Sequence, residues 1–119
     1  MNQKINLMYF SATDTTKKVV YGIVESMLVN LKIISRNIDF TLPSVREKSV
    51  SFTGKDIVII GVPVYAGRVP NVLLNYLNSI NGNGAWAIPV VVYGNRNYDD
   101  ALIELSDILK SRGFTIIAG

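Results

Sequence analysis

Tyr9-Phe10-Ser11-Ala12-Thr13-Asp14-Thr15-Thr16-Lys17-Lys18 carries the end of an apolar strand into a hydroxyl-rich loop and then into a helix. Four hydroxyls, from Ser11, Thr13, Thr15 and Thr16, fall within six positions. They stand where the helix begins, and a helix N-terminus carries unpaired backbone N–H groups and a partial positive charge. Such an end suits a phosphate. A single hydroxyl is enough to cap a helix. The loop supplies four, so an anion site is the stronger reading.

Working outward, Ile5 to Phe10 is a compact apolar run, as expected of a central strand. Beyond the loop, Val20, Ile23, Val24, Met27, Leu28 and Leu31 recur at helical spacing and mark one apolar face. Gly22 interrupts that helix at a cost of about 1 kcal/mol against Ala, and close packing on a strand is the expected reason. Ile33 to Phe40 mixes polar and apolar residues, which suits a sheet edge. Thr41 to Lys55, with Pro43 and Gly54, reads as a crossover holding at most one short helix.

Ile57-Val58-Ile59-Ile60 is continuous and β-branched, a strand covered on both faces. Pro70 opens a helix whose inner face is Val72, Leu73, Tyr76, Leu77 and Ile80, and Asn81-Gly82-Asn83-Gly84 stops it. Ala87 to Tyr93 is a fourth strand with Pro89 near its start, and Trp86 precedes it as a structural residue. Asp99 or Asp100 starts a helix with Leu102, Leu105, Ile108 and Leu109 inward, and Gly113 ends it. Thr115 to Ala118 begins a fifth strand.

Alternating strands and helices imply a doubly wound α/β domain: a parallel sheet joined by right-handed crossovers. On such sheets ligands bind outside the carboxyl ends of the strands, where the strand order reverses. The loops after strands 1, 3 and 4 all lie at that rim.

Composition narrows the chemistry. The 119 residues make one domain, 49% hydrophobic, with a net charge of +3. The twelve basic residues are scattered, which gives nucleic-acid binding little support. With neither Cys nor His, the chain offers no disulfide, thiolate nucleophile, Cys-ligated cluster or imidazole acid–base group. Redox chemistry therefore requires a bound cofactor. Only six residues separate Lys4 from Ser11, too few for a signal-peptide core, and no apolar run reaches the ~20 residues of a membrane span. The expectation is a cytoplasmic protein with no membrane partner.

Three stretches carry a family resemblance. Ser11-Ala12-Thr13-Asp14-Thr15-Thr16 resembles the phosphate loop of flavodoxins, commonly Ser-Gly-Thr-Gly-Asn-Thr. Gly61-Val62-Pro63-Val64-Tyr65-Ala66-Gly67-Arg68-Val69-Pro70 resembles their loop after strand 3, and Tyr93-Gly94-Asn95-Arg96-Asn97-Tyr98-Asp99-Asp100-Ala101 their loop after strand 4. Together they look most like the flavodoxin part of anaerobe flavodoxin–ferredoxin fusion proteins.

The resemblance implies a flavodoxin-like strand order of 2-1-3-4-5 and non-covalent FMN. It also implies that hydroxyls of Ser11, Thr13, Thr15 and Thr16, with nearby backbone N–H groups, hold the FMN phosphate. Asp14 replaces the usual Gly. It tolerates a positive φ, but its charge has to face solvent, with Lys17 and Lys18 to offset it. Pro63 and Val64 lead into the second loop. There Tyr65 would lie beside the ring, the Ala66-Gly67 peptide near N5, and Arg68 near the N1/O2 edge, where it would stabilise reduced flavin. Gly61 and Gly67 would allow close approach to the ligand. Tyr98 would stack on the other ring face, and Tyr93, Gly94 and Asn95 would give backbone contacts.

The same resemblance makes the missing last helix conspicuous. A helix normally follows strand 5, so apolar surface is expected to be bare after Gly119; the expectation is a fragment of a longer chain, and the alternative is a homodimer or a partner that covers the gap.

Two functions follow. One is electron transfer through FMN to a redox partner, with the basic balance suiting an acidic ferredoxin-like module. The other is a flavodoxin-fold binding or assembly module that has lost FMN. A flavin reductase would need a second nucleotide motif, and none is visible. Phospho-acceptor receiver domains need an Asp where Gly61-Val62 stands, and low-molecular-weight phosphatases need a Cys.

Overall fold

The structure is a computed structural model that describes residues 4–11, 14–27, 34–65, 68–92 and 99–117. Five strands form one parallel sheet: β1 (Lys4–Tyr9), β2 (Ile34–Asp39), β3 (Asp56–Pro63), β4 (Trp86–Val92) and β5 (Thr115–Ile116). Their order is β2-β1-β3-β4-β5, so the direction of winding reverses between β1 and β3. This is a flavodoxin-like α/β fold.

The buried registers follow from the strands' sequence. In β3, Val58, Ile60 and Val62 point to one face, against Leu73, Leu77, Leu105 and Leu109. Ile59 points to the other, against Val20 and Val24. Burial on both faces explains why the strand reads as continuous aliphatics rather than an alternation. β2 is an edge strand, mostly exposed, with one extra residue where its pairing to β1 shifts between Ile5 and Asn6.

The helices divide between the faces. α1 (Thr15–Met27) covers one face through Val20 and Val24. The other face takes the short α2 (Pro43–Arg46), a 3-10 turn over Asn71–Leu73 that runs into α3 (Leu74–Leu77), and α4 (Asp99–Ser111). No helix among the described residues is long and apolar enough to cross a membrane. The Met27 side chain, Leu28 and Leu31, placed on the apolar face of α1 from sequence, lie outside the described residues.

Several expectations are corrected. Gly22 is exposed, and a Cβ there would meet nothing within 4 Å, so close packing is not its reason. The close approach to α1 occurs at Gly61 instead. A Cβ on Gly61 would lie 2.5 Å from Val20 Cγ2 and 3.1 Å from Thr16 Cγ2. Val72 is 60% exposed rather than inward, because the segment opens as a 3-10 turn whose tighter period rotates it out of register with Leu73, Tyr76 and Leu77. Trp86 is the first residue of β4 rather than its predecessor, pairing with Ile57 and Thr115.

Trp86 shares a face with Ile88, Val90 and Ile117, the face that α1 covers only in part. Trp86 and Ile117 remain about two-fifths exposed.

The amino edge of the sheet is tied by a buried polar cluster. Asn6 Nδ2 donates to Asp56 Oδ1 at 3.0 Å and to the Ile57 and Lys4 carbonyls, both at 3.2 Å. Asp56 Oδ2 accepts the Thr53 N–H at 2.8 Å. Buried carboxylates require such partners.

Candidate site at the carboxyl rim of the sheet

α1 begins one short loop after β1, at the reversal point between β1 and β3. Ser11, buried at the base of that loop, organises it. Its Oγ accepts the backbone N–H of Lys17 at 3.0 Å, and its own N–H donates to Thr41 Oγ at 2.8 Å. Thr41 in turn donates both its N–H and its hydroxyl to the Asp39 carboxylate. A relay therefore runs from the loop after β1 to the end of β2. Ser11 Oγ accepts from Lys17, so its own hydrogen remains to be donated elsewhere.

Asp14 takes φ of 64°, in the left-handed region, and its carbonyl accepts the first helical bond, from Lys18, at 3.1 Å. Asp is among the few residues that occupy this region at low cost. Its side chain is exposed and lines a depression of about 210 Å³ with Lys17, Lys18 and Tyr21. Thr15 is exposed, whereas Thr16 is buried with its methyl toward Gly61. Thr13 lies outside the described residues.

Behind the loop, the rings of Tyr9 and Tyr21 meet edge-on at 6.1 Å, and Asn37 donates to the Tyr21 hydroxyl. Burial, followed by the bond to Tyr21, holds the Tyr9 phenol well above its ordinary range, so it stays neutral. Lys17 Nζ sits 5.9 Å from the centre of the Tyr21 ring.

Across the rim, Pro63 ends β3, and Val64 donates its N–H to the Val92 carbonyl at 2.9 Å. Tyr65 is 51% exposed. Two backbone bonds between Tyr65 and Arg68, at 2.9 and 3.0 Å, close a turn. The Arg68 guanidinium is engaged by Glu104 of α4 through bonds of 2.8 and 3.2 Å, and Glu104 also accepts the Val69 N–H at 3.0 Å. The hydrogen bond from Arg68 holds the Glu104 carboxyl below its usual range, against the opposing effect of burial, and the same bond raises the Arg68 pKa. Ala66, Gly67, Tyr93, Gly94, Asn95 and Tyr98 lie outside the described residues.

The structure thus brings Ser11, Asp14, Thr15 and Thr16 together at the start of α1, with Pro63, Val64, Tyr65 and Arg68 at the end of β3. It adds Asp39, Thr41 and Glu104, none of which the sequence singled out. Asp39-Phe40-Thr41 carries a local signal, an Asp two residues before a Thr at a strand end, where side chains bond nearby backbone. Glu104 carries none, being one of several polar residues on its helix.

No protein-family model matches the chain, and no curated protein matches it. Among solved structures it resembles a protein of Bacteroides uniformis provisionally named a flavoprotein, at TM-score 0.66 and 19% identity, over 100% of this chain and 92% of that one. It also resembles one of Bacteroides eggerthii under the same provisional name, at TM-score 0.61 and 17% identity, over 97% of this chain and 86% of that one. At such identities the likeness establishes the fold.

Proposed function

We propose that the chain binds FMN at the carboxyl rim of its sheet and passes electrons to a partner protein. The observation that carries this reading is the loop from Ser11 to Thr15. It puts the N-terminus of a thirteen-residue helix at the reversal point of the sheet, with a left-handed residue at its mouth and a serine whose hydrogen is uncommitted to the helix. That donor set fits a phosphate. Asp14, whose charge opposes an anion at the start of α1, stands in solvent beside Lys17 and Lys18, whose charges offset it. The names of the two similar structures support flavin as the ligand class, and the phosphate-suited loop favours FMN over riboflavin.

When bound, the flavin supplies the reversible electron acceptor that no side chain here provides. The protein's own residues bind and orient. Ser11 donates to the phosphate while anchoring the helix at Lys17, and the Thr41–Asp39 relay stops the loop from shifting. Tyr65 presents an exposed ring at the rim for contact with the flavin face. With a net charge of +3, the domain suits an acidic partner of ferredoxin type in the cytoplasm.

The deciding experiment is a pair of fluorescence titrations with FMN and riboflavin. Quenching at one FMN per chain is expected, with riboflavin binding at least tenfold more weakly. Unquenched FMN would leave the second reading, a flavodoxin-fold assembly module. That reading draws on the partly bare Trp86 and Ile117 and on the acidic Asp14.

A further inference from the structure

Glu104 combines two actions at one carboxylate. It takes the Arg68 guanidinium through two bonds and the backbone N–H of Val69 through a third. It is itself largely buried, with 17% of its side chain accessible against 64% for Arg68. A two-pronged contact of this kind fixes the plane of the guanidinium as well as its position. The turn that Arg68 closes is the one displaying Tyr65, so Glu104 ties that turn to α4. Asp100, one turn earlier on α4, is the other acidic group acting on Arg68.

We propose that Glu104 masks the charge of Arg68 and positions the Tyr65–Arg68 turn, so that Arg68 does not present a free cation to the flavin rim. The proposal rests on the flavin reading above. It changes the role expected of Arg68. With its charge cancelled, Arg68 does not favour the reduced, more negative flavin, and the intact pair leaves the ratio of oxidised to reduced binding where it stands without either charge.

The consequence is a sign test that a purely mechanical strut fails. Glu104→Gln removes the carboxylate bonded to Arg68, leaving only the more distant Asp100 against its charge, and raises the ratio of reduced-FMN to oxidised-FMN affinity. Arg68→Gln leaves Glu104 uncompensated and lowers the same ratio. For a unit charge at roughly 7 Å in water, the change is about threefold in each direction. The double variant R68Q/E104Q restores a ratio close to the parent's. A strut would weaken both forms together and shift both single variants in the same sense.

The test measures oxidised and anaerobically reduced FMN binding to the parent and all three variants, with thermal unfolding to verify that each is folded. Hydrogen exchange at Val69 reads the mechanical part without flavin, and faster exchange is expected in E104Q. Opposite shifts, cancelled in the double variant, support the proposal. Equal-sign shifts or unchanged ratios in a parent that binds FMN overturn masking while the function stands. A parent that takes up no flavin overturns both, and unaltered Val69 exchange then removes the positioning role as well.

Discussion

Replacing Gly61 with Ala tests the packing that sets the site. The added Cβ would stand 2.5 Å from Val20 Cγ2 and 3.1 Å from Thr16 Cγ2, where carbon atoms prefer about 3.5–4 Å. Val20 is fully buried, and its β-branched side chain has one strongly preferred rotamer in a helix, so it has no inexpensive way to turn aside. α1 must lift from β3 or Val20 must leave its rotamer. Overpacking of this kind costs about 1–3 kcal/mol. At about 4 °C per kcal/mol for a domain of this size, Tm should fall by roughly 4–12 °C.

Thermal and urea unfolding measure the loss, and Val20→Ala supplies the control. Removing Cγ2 makes room for the new methyl, so Val20→Ala should cost clearly less in the Gly61→Ala background than alone. Because α1 carries the loop from Ser11 to Thr15 at its start, lifting it should also weaken FMN more than riboflavin. Gly22→Ala is the counterpart: its Cβ meets open space on an exposed helix face, so it should gain about 0.5–1 kcal/mol. A Gly61→Ala protein as stable as the parent, or a Val20→Ala cost equal in both backgrounds, would refute the account.

Asp56→Ala strips the buried bonds to Asn6 and Thr53 at the amino edge and should cost about 1–3 kcal/mol by urea unfolding, while FMN affinity of the folded protein stays unchanged. Asp14→Gly keeps the left-handed turn and removes a negative charge. FMN should bind roughly threefold more tightly per phosphate charge if that charge stands ~7 Å away in water, a gain that shrinks with added salt and is absent for riboflavin. The lowered pKa of Glu104 gives stability that is present above its unfolded value near 4.5 and is lost as pH falls through the lower folded value. The stability difference between the parent and Glu104→Gln should therefore shrink across that acid window, as followed by urea unfolding at a series of pH values.

How much of this was legible beforehand depends on the range of the interaction. Ile57 to Ile60 announces a strand covered on both sides, and the broken pattern of β2 announces an edge, because burial acts on each residue where it stands. The loop from Ser11 was visible for the same reason: a helix start and its hydroxyls lie within one short stretch. The left-handed angle at Asp14 agrees with what the resemblance implied, Asp standing where the flavodoxin loop has Gly and being one of the few side chains that keep such an angle. Val72 was misplaced because a 3-10 opening changes the period by a fraction of a residue, which spacing alone does not register.

The sequence by itself determined the alternation of strands and helices and the stretch that holds the hydroxyl-rich loop, since these follow from local period, whereas the strand order was what the family resemblance implied and the sheet then showed. Only the tertiary structure decided which glycine is indispensable: Gly22 and Gly61 are identical as letters, and only a neighbouring helix distinguishes them. It alone joined Ser11 to Thr41 and Arg68 to Glu104, pairs set 30 and 36 positions apart. Bonds of that separation form when two chain ends of a sheet and a helix flank are brought within 3 Å, a consequence of packing the whole domain that no stretch of residues encodes alone.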